Sequence, residues 1–135
     1  MTEQEISNEN EANSIENEII GSFLIHSKES SNNYKLANKH FHKYTKLMCK
    51  VLENGNEILY KFIKHNEPAV RLKGAYYLLP IDKKIAEKTL KSLYKIPEDL
   101  IGFNAKMIMK EWKKKSLTFP KLKDGKLIWE KNIYI

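Results

Sequence analysis

The sequence predicts an all-α protein, and three observations lead to this fold class. Apolar residues recur at intervals of three and four from Ser14 to about residue 116, which is the spacing of one helix face. Prolines, glycines and N-cap residues interrupt this pattern and divide it into about six helices. The chain shows no alternation typical of strands before residue 117. Its 135 residues are the length of one ordinary domain.

The N-terminal segment, residues 1–13, is predicted to be a flexible acidic leader. After the initiator methionine its only apolar residues are Ile6 and Ala12, so it cannot offset the entropy lost on ordering. Ser14 is then a suitable N-cap for the first helix, which is expected to end in the polar run at 30–33. The apolar face of that helix comprises Ile15, Ile19, Ile20, Phe23 and Leu24.

Two helices are predicted next, over residues 34–53 and 56–65. The longer one carries a continuous apolar face and is followed by Gly55, a common C-terminal stop. Asn66 is then expected to cap a fourth helix, which has Pro68 in its first turn, where a missing N–H costs little. The face of the longer helix comprises Ala37, Phe41, Tyr44, Met48 and Val51.

The fourth helix, about residues 67–79, is the most apolar and contains the chain's only arginine, Arg71. Apolar residues lie on two sides of it, which predicts a central helix that packs on both sides. Glycine costs about 1 kcal/mol relative to alanine inside a helix, so Gly74 is predicted to mark a close approach of another helix. Arg71 is predicted to be structural, with its guanidinium shared between a carboxylate and helix-end carbonyls. The candidate carboxylates are Glu67, Asp82 and Asp99.

The last two helices are predicted over 83–95, with Asp82 as N-cap, and from Pro97 to the lysine cluster at 113–115. Lysines close the last helix at the negative end of its dipole. Trp112 lies on the inward face of that helix and is assigned a structural role. The inward face comprises Ile101, Ala105, Ile108 and Trp112.

The remaining tail, residues 117–135, is predicted either to pack on the helical domain or to be partly ordered. Asp124-Gly125 between Leu122 and Leu127 is a signal for a short β-hairpin, and an extended tail is the alternative. A lone hairpin is marginally stable, so its apolar residues are expected to need cover from the helices or a partner. Those residues are Trp129, Ile133 and Ile135.

The third and fourth helices, and then the fifth and sixth, form two antiparallel pairs of about thirty residues each. Such pairs bury both of their faces only when they stack, as in an α-solenoid. The segment from Asn66 to Ala75, NEPAVRLKGA, resembles the second helix of a HEAT-type repeat with its Val-Arg-x-x-Ala-Ala core.

Further segments are similar to a small bacterial family of HEAT-like proteins catalogued as domain of unknown function two-thousand-and-nineteen. The resemblance spans about residues 15–120, and Gly74 departs from it because the family usually carries alanine there. It implies a HEAT-like α-α superhelix over residues 14–116, and it implies no established reaction. The matching segments are Ala37-Asn38-Lys39, Ala86-x-x-x-Leu90, Phe103-Asn104-Ala105 and Glu111-Trp112.

The charge is unevenly distributed along the chain. The net charge is +7, whereas residues 1–33 hold seven glutamates and one lysine and therefore carry −6. A basic body indicates either an acidic partner, such as nucleic acid or an acidic protein, or simply a lysine-rich solvated surface. A single cysteine, Cys49, fits a reducing compartment, and we see neither a signal-peptide pattern nor a membrane-spanning run. A cytoplasmic protein that does not contact a membrane is expected.

No catalytic residue, metal site or cofactor is predicted. The four histidines and Cys49 do not show the spacing of zinc ligands, and a buried apolar role suits Cys49 better. The chain has neither a Gly-x-Ser-x-Gly elbow nor a glycine-rich phosphate loop. These patterns argue against an enzyme.

The favoured interpretation is a protein-interaction module that uses a concave surface of stacked second helices. The predicted contact residues are Lys73, Tyr76, Lys106 and Lys110. The family resemblance implies an immunity-type role, neutralising a toxin, as one specific form of this function.

The alternative interpretation is non-specific nucleic-acid binding through lysine-rich helix faces. With one arginine in the chain, readout of base sequence is not expected. The predicted phosphate-contacting residues are Lys39, Lys43, Lys46, Lys50, Lys113, Lys114 and Lys115.

Overall fold

The structure, a computed structural model, describes residues 2–131 and is mostly helical. A short 3-10 turn, Glu98–Leu100, precedes the last helix, and the chain then forms an antiparallel hairpin of β1 (Thr118–Lys123) and β2 (Lys126–Lys131). The prediction of an all-α protein with a short C-terminal hairpin is therefore confirmed. The helices are α1 (Glu3–Glu29), α2 (Tyr34–Leu52), α3 (Glu57–Phe62), α4 (Pro68–Leu78), α5 (Lys83–Ser92) and α6 (Ile101–Lys113).

Helix α1 begins at Glu3, so the predicted N-cap at Ser14 is wrong, and residues 3–13, expected to be a flexible leader, are helical. The Thr2 hydroxyl accepts a hydrogen bond from the Glu5 amide at 3.1 Å, and the Glu5 carboxylate accepts one from the Thr2 amide at 3.3 Å. This reciprocal capping box satisfies two backbone donors at the helix start. Residues 2–14 are nevertheless all exposed, so no tertiary packing supports this part of α1.

Helix α4 lies at the centre of the domain, as its two apolar sides predict. It contacts α1, α3, α5 and α6, while α1 and α2 pack on each other as an antiparallel pair. The ring of Phe23 in α1 meets those of Tyr44 and Phe62 edge-on, with centroids 4.8 and 5.4 Å apart. The buried residues of α4 are Ala69, Val70, Leu72, Gly74, Ala75, Tyr77 and Leu78.

In the described part of the chain, the side chain of Arg71 donates only to carbonyl groups. Its Nη1 donates to the His65 carbonyl at 2.8 Å and to the Asn66 carbonyl at 3.1 Å, which holds the loop before α4. None of the ion pairs between residues 2 and 131 includes Arg71, so the expected carboxylate partner is a wrong prediction. Asp82, one of the candidates, instead caps α5 and accepts a hydrogen bond from the Tyr60 hydroxyl at 2.9 Å.

The last helix begins later than predicted. Asp99 and Leu100 have positive φ values of 51° and 58°, so the chain turns sharply between Pro97 and Ile101. The amide of Gly102 donates to the Ile96 carbonyl at 2.9 Å, and the backbone of Tyr94 lies too close for a side chain at Gly102. The close packing of this turn, which no periodicity reveals, sets the start of α6 at Ile101.

The hairpin has the register that its turn sequence predicts. Leu122 lies opposite Leu127, and Asp124 and Gly125 form the turn with φ values of 51° and 75°. Two consecutive positive φ values match the right-handed twist of paired strands. Strand β1 contacts α2, so the hairpin packs on the helices. Ile133 and Ile135, which were expected to be covered with it, lie outside the described residues.

Candidate functional site

The hairpin folds over a groove between α2, α4 and α6. Its Phe119 ring stacks on Tyr76 of α4, with centroids 5.0 Å apart, and meets Trp112 of α6 edge-on at 6.2 Å. The Tyr76 hydroxyl donates to the Thr118 carbonyl. On the second strand, Trp129 stacks nearly parallel on Phe41 of α2 at 5.8 Å. The chain's own C-terminal strands thus cover the surface that second helices were expected to offer a partner.

The structure divides the four predicted partner-binding residues into two groups. Tyr76 is half-buried beneath Phe119, and Lys73 is half-buried beside the ring of Tyr44. Lys106 and Lys110 remain exposed on α6. The four residues therefore do not form one open concave surface, because the hairpin occupies the part that contains Tyr76.

A pocket of about 270 Å³ remains between the hairpin and the helices. The ammonium of Lys73 lies 5.3 Å from the centre of the Tyr44 ring, a cation–π distance. Lys73 belongs to none of the three ion pairs found in residues 2–131, and burial lowers its pKa to about 8. The pocket is lined by Phe41, Tyr44, Lys73, Tyr76, Tyr77, Ile108, Leu117, Thr118 and Trp129.

The tyrosines of this pocket stay neutral. Burial raises the pKa of Tyr44, Tyr76 and Tyr77, so no phenolate forms near Lys73 at physiological pH. The positive charge of Lys73 is therefore not balanced by its aromatic neighbours.

His26 of α1 lies behind the pocket wall, where its ring approaches those of Phe41 and Tyr44 at 5.7 and 5.5 Å. Its buried Nδ1 has no hydrogen-bond partner among residues 2–131. Burial, then the charges of Lys73 and His40, lower the pKa of His26 to about 4. The imidazole is therefore neutral at pH 7. Sequence reasoning missed His26 because nothing in its spacing relates it to α2 or α4.

A second surface lies on α6, on the side opposite its buried residues. Phe103 is 60% exposed and Met107 38%, and both lie on one side of the helix because they are four residues apart. Leu100, 53% exposed, immediately precedes the helix. Lys106 and Lys110 follow Phe103 by about one and two helical turns. The Lys106 ammonium lies 5.9 Å from the Tyr94 ring centre. We call Leu100, Phe103, Lys106, Met107 and Lys110 the α6 face.

The lysines predicted to contact phosphates are all exposed. Lys39, Lys43, Lys46 and Lys50 follow one side of α2, and Lys43 pairs with Glu18 of α1 at 3.2 Å. The cluster at 113–115 lies at the C-terminal end of α6. The α2 lysines therefore form one stripe, which helical spacing alone indicated.

The remaining predicted residues lie in structural positions. Trp112 is buried, and its indole N–H donates to the Glu87 carboxylate at 3.3 Å. Cys49 is half-buried, and burial, followed by the charge of Glu53, raises its pKa. Within the described part of the chain, no three histidine, cysteine or acidic side chains are grouped to hold a metal ion.

No helix in residues 2–131 combines the length and the apolar character needed to cross a lipid bilayer.

Comparisons with protein-family models, with curated proteins and with solved structures found no significant match.

Proposed function

We propose that this protein is a non-enzymatic interaction module that binds an acidic protein partner through the α6 face. The observation that carries the proposal is the exposure of Phe103 and Met107 on one side of α6, and of Leu100 just before it, opposite the side that the helix buries. Contiguous exposed apolar side chains rimmed by polar groups are typical of protein–protein contact sites.

The composition of the α6 face suits a defined kind of partner surface. An aromatic side chain such as Phe103 can fill a pocket and contribute a large share of the binding energy. Lys106 and Lys110 lie beside it, where charges at the rim of an interface steer association and select the partner. The expected partner surface is an apolar depression bordered by aspartate or glutamate.

The arrangement of the helices supports a HEAT-like architecture for this module. Helices α1 and α2, α3 and α4, and α5 and α6 are consecutive pairs whose members contact each other. Terminal repeats of such stacks normally present a polar outer face, and the α6 face departs from this rule. A partner that packs there would take the place of a further repeat. Toxin neutralisation in the cytoplasm is the specific form of this proposal that rests on resemblance alone.

The decisive experiment is capture and reconstitution of the partner with matched variants. The full chain is used as bait in extract from its native host, beside F103S and the control I81S. Ile81 is also exposed but lies outside α6. We expect one protein to be retained by wild type and I81S, and its purified form to bind F103S at least about tenfold more weakly, a loss of roughly 1.4 kcal/mol. Equal binding of the purified partner to F103S would reject the α6 face, and the absence of any retained protein would reject the module.

Nucleic-acid binding is a second candidate because the α2 lysine stripe is exposed and, in the part of the chain that the structure describes, only Lys43 within it forms an ion pair. Phosphate contacts by such a stripe would give affinity that falls steeply with salt. A gel shift with random-sequence duplex DNA tests it, with K46Q/K50Q as the variant and K88Q/K91Q on α5 as the matched control. Salt-sensitive binding that only the α2 variant weakens would favour this candidate, and binding unaffected by either variant would reject it.

A further inference from the structure

Lys73 presents an unbalanced charge inside a largely aromatic pocket. A lysine whose ammonium is removed from water is normally paired with a carboxylate, because the loss of hydration is costly. Between residues 2 and 131 Lys73 has neither an ion pair nor a hydrogen bond, and its nearest described interaction is with the face of Tyr44. A cation–π contact offsets only part of the lost hydration.

The helices and strands around Lys73 contribute no negatively charged side chain among residues 2–131 to the pocket wall. Helix α1 contributes the neutral His26, and α2 and α4 contribute tyrosines that stay protonated. Helix α6 and the hairpin line the pocket with Ile108, Leu117, Thr118 and Trp129, none of which is ionisable. An anion in the pocket would therefore lie near the positive charge of Lys73. No negatively charged side chain among residues 2–131 lines the pocket to repel it.

We propose that this pocket binds a small aromatic carboxylate, whose carboxylate pairs with the Lys73 ammonium while its ring packs among Phe41, Tyr76 and Trp129. A single ammonium matches the single charge of a carboxylate better than the higher charge of a phosphate. The rings of Phe41, Tyr76 and Trp129 provide apolar surfaces against which a further aromatic ring can pack edge-to-face or offset. The volume, about 270 Å³, is just below the usual range of ligand pockets, about 300–1,000 Å³, and suits a one-ring compound.

This site is separate from the α6 face. None of the residues of that face lines the pocket, whose wall is completed by the hairpin residues Thr118 and Trp129. A ligand between the helices and these strands would also hold the hairpin against the domain, because a compound that binds only the closed form stabilises it. Binding is therefore expected to make the hairpin more resistant to proteolysis.

The test uses phenylacetate as probe and phenylacetamide as its uncharged counterpart. Trp129 lies in the pocket wall, so its fluorescence reports binding, and a W112F background removes the other described tryptophan. We expect phenylacetate to change the emission saturably and to slow trypsin cleavage of the hairpin, whereas phenylacetamide binds at least about tenfold more weakly. K73M should weaken phenylacetate binding by at least about tenfold, and K88M, at an exposed lysine of α5, should leave it unchanged.

A second measurement keeps the result interpretable if W112F disturbs the fold. Amide chemical shifts of the otherwise wild-type chain should move at Lys73, Leu117 and Thr118 on adding phenylacetate and stay constant along α5. No saturable change in either experiment, equal binding of the amide, or unchanged binding by K73M would each overturn the proposal.

Discussion

Gly74 of α4 lies directly against Phe62 of α3, so that a Cβ atom at position 74 would be 2.7 Å from the Phe62 Cβ. The backbone amide of Ile63 would be 3.3 Å away, so the neighbouring chain has little freedom to move aside. The absence of a side chain at Gly74 is what allows the shortest helix, α3, to pack closely on the central one.

Gly74→Ala should destabilise the protein although alanine favours helices. Replacement of glycine gains about 1 kcal/mol in helix propensity, whereas overpacking a dense core costs about 1–3 kcal/mol. We expect a net loss of about 1 kcal/mol in the free energy of unfolding, measured by urea denaturation. Gly21→Ala in α1 is the matched control, because a Cβ there would meet nothing within 4 Å and should stabilise the fold by about 0.5–1 kcal/mol. Stabilisation by both changes would contradict the close contact.

Lys73→Met should stabilise the fold at pH 7. Methionine fills a similar volume without an unpaired charge, and we expect a gain of about 1–2 kcal/mol in the free energy of unfolding. The folded-state pKa of Lys73 is about 8, below its ordinary value of 10.5, so wild-type stability should rise as pH increases from 8 to 10.5. The difference between variant and wild type should therefore shrink over that window in urea titrations. A variant less stable than wild type at pH 7 would show that Lys73 has a stabilising partner.

His26 should make the protein sensitive to acid. Its folded-state pKa of about 4 lies below the ordinary 6.5, so the unfolded chain takes up a proton between pH 6.5 and 4 that the folded chain resists. Unfolding is then increasingly favoured as pH falls through this range. His26→Phe removes the titration and the unpartnered Nδ1, so its thermal midpoint should exceed that of wild type more at pH 5 than at pH 8. Parallel pH profiles for the two proteins would refute this assignment.

Phe119→Ala should release the hairpin from the helices. The ring of Phe119 packs between Tyr76 and Trp112, and a free two-stranded hairpin is marginally stable in water. We expect trypsin to cleave after Lys121 and Lys126 about tenfold faster, because the opened form becomes more populated. Tyr34→Ala, at a side chain that is 66% exposed, is the control and should leave cleavage unchanged. An unchanged rate for the Phe119 variant would mean that other contacts hold the hairpin.

Several elements follow directly from local chemistry. Asp124 and Gly125 tolerate positive φ, so the hairpin turn and its register could be predicted from two residues. The apolar residues on both sides of α4 predicted its central position. Gly74 among them predicted the close approach of another helix. Signals of this kind depend on the backbone preferences of single residues and on helical period. Both can be read from the amino-acid sequence.

Other features were not predicted from the apolar pattern. The capping box of Thr2 and Glu5 is a local Thr-x-x-Glu signal, and it extends α1 to Glu3 through exposed residues that have no apolar pattern. The expected carboxylate for Arg71 is replaced by carbonyls of the loop before α4, and Asp82 is bound by Tyr60. The spacing of apolar residues does not show which of several possible partners a side chain can reach.

By itself, the sequence determined that this chain is helical, where most helices lie, which one is central and where the hairpin turns, because periodicity and backbone preference are local properties. Only the tertiary structure decided that the hairpin returns to cover Tyr76, that Lys73 faces an aromatic pocket without a described counter-charge, and that Phe103 and Met107 stay exposed. Those outcomes depend on how whole helices and strands pack. Local backbone preference does not decide which apolar surfaces are buried and which stay exposed.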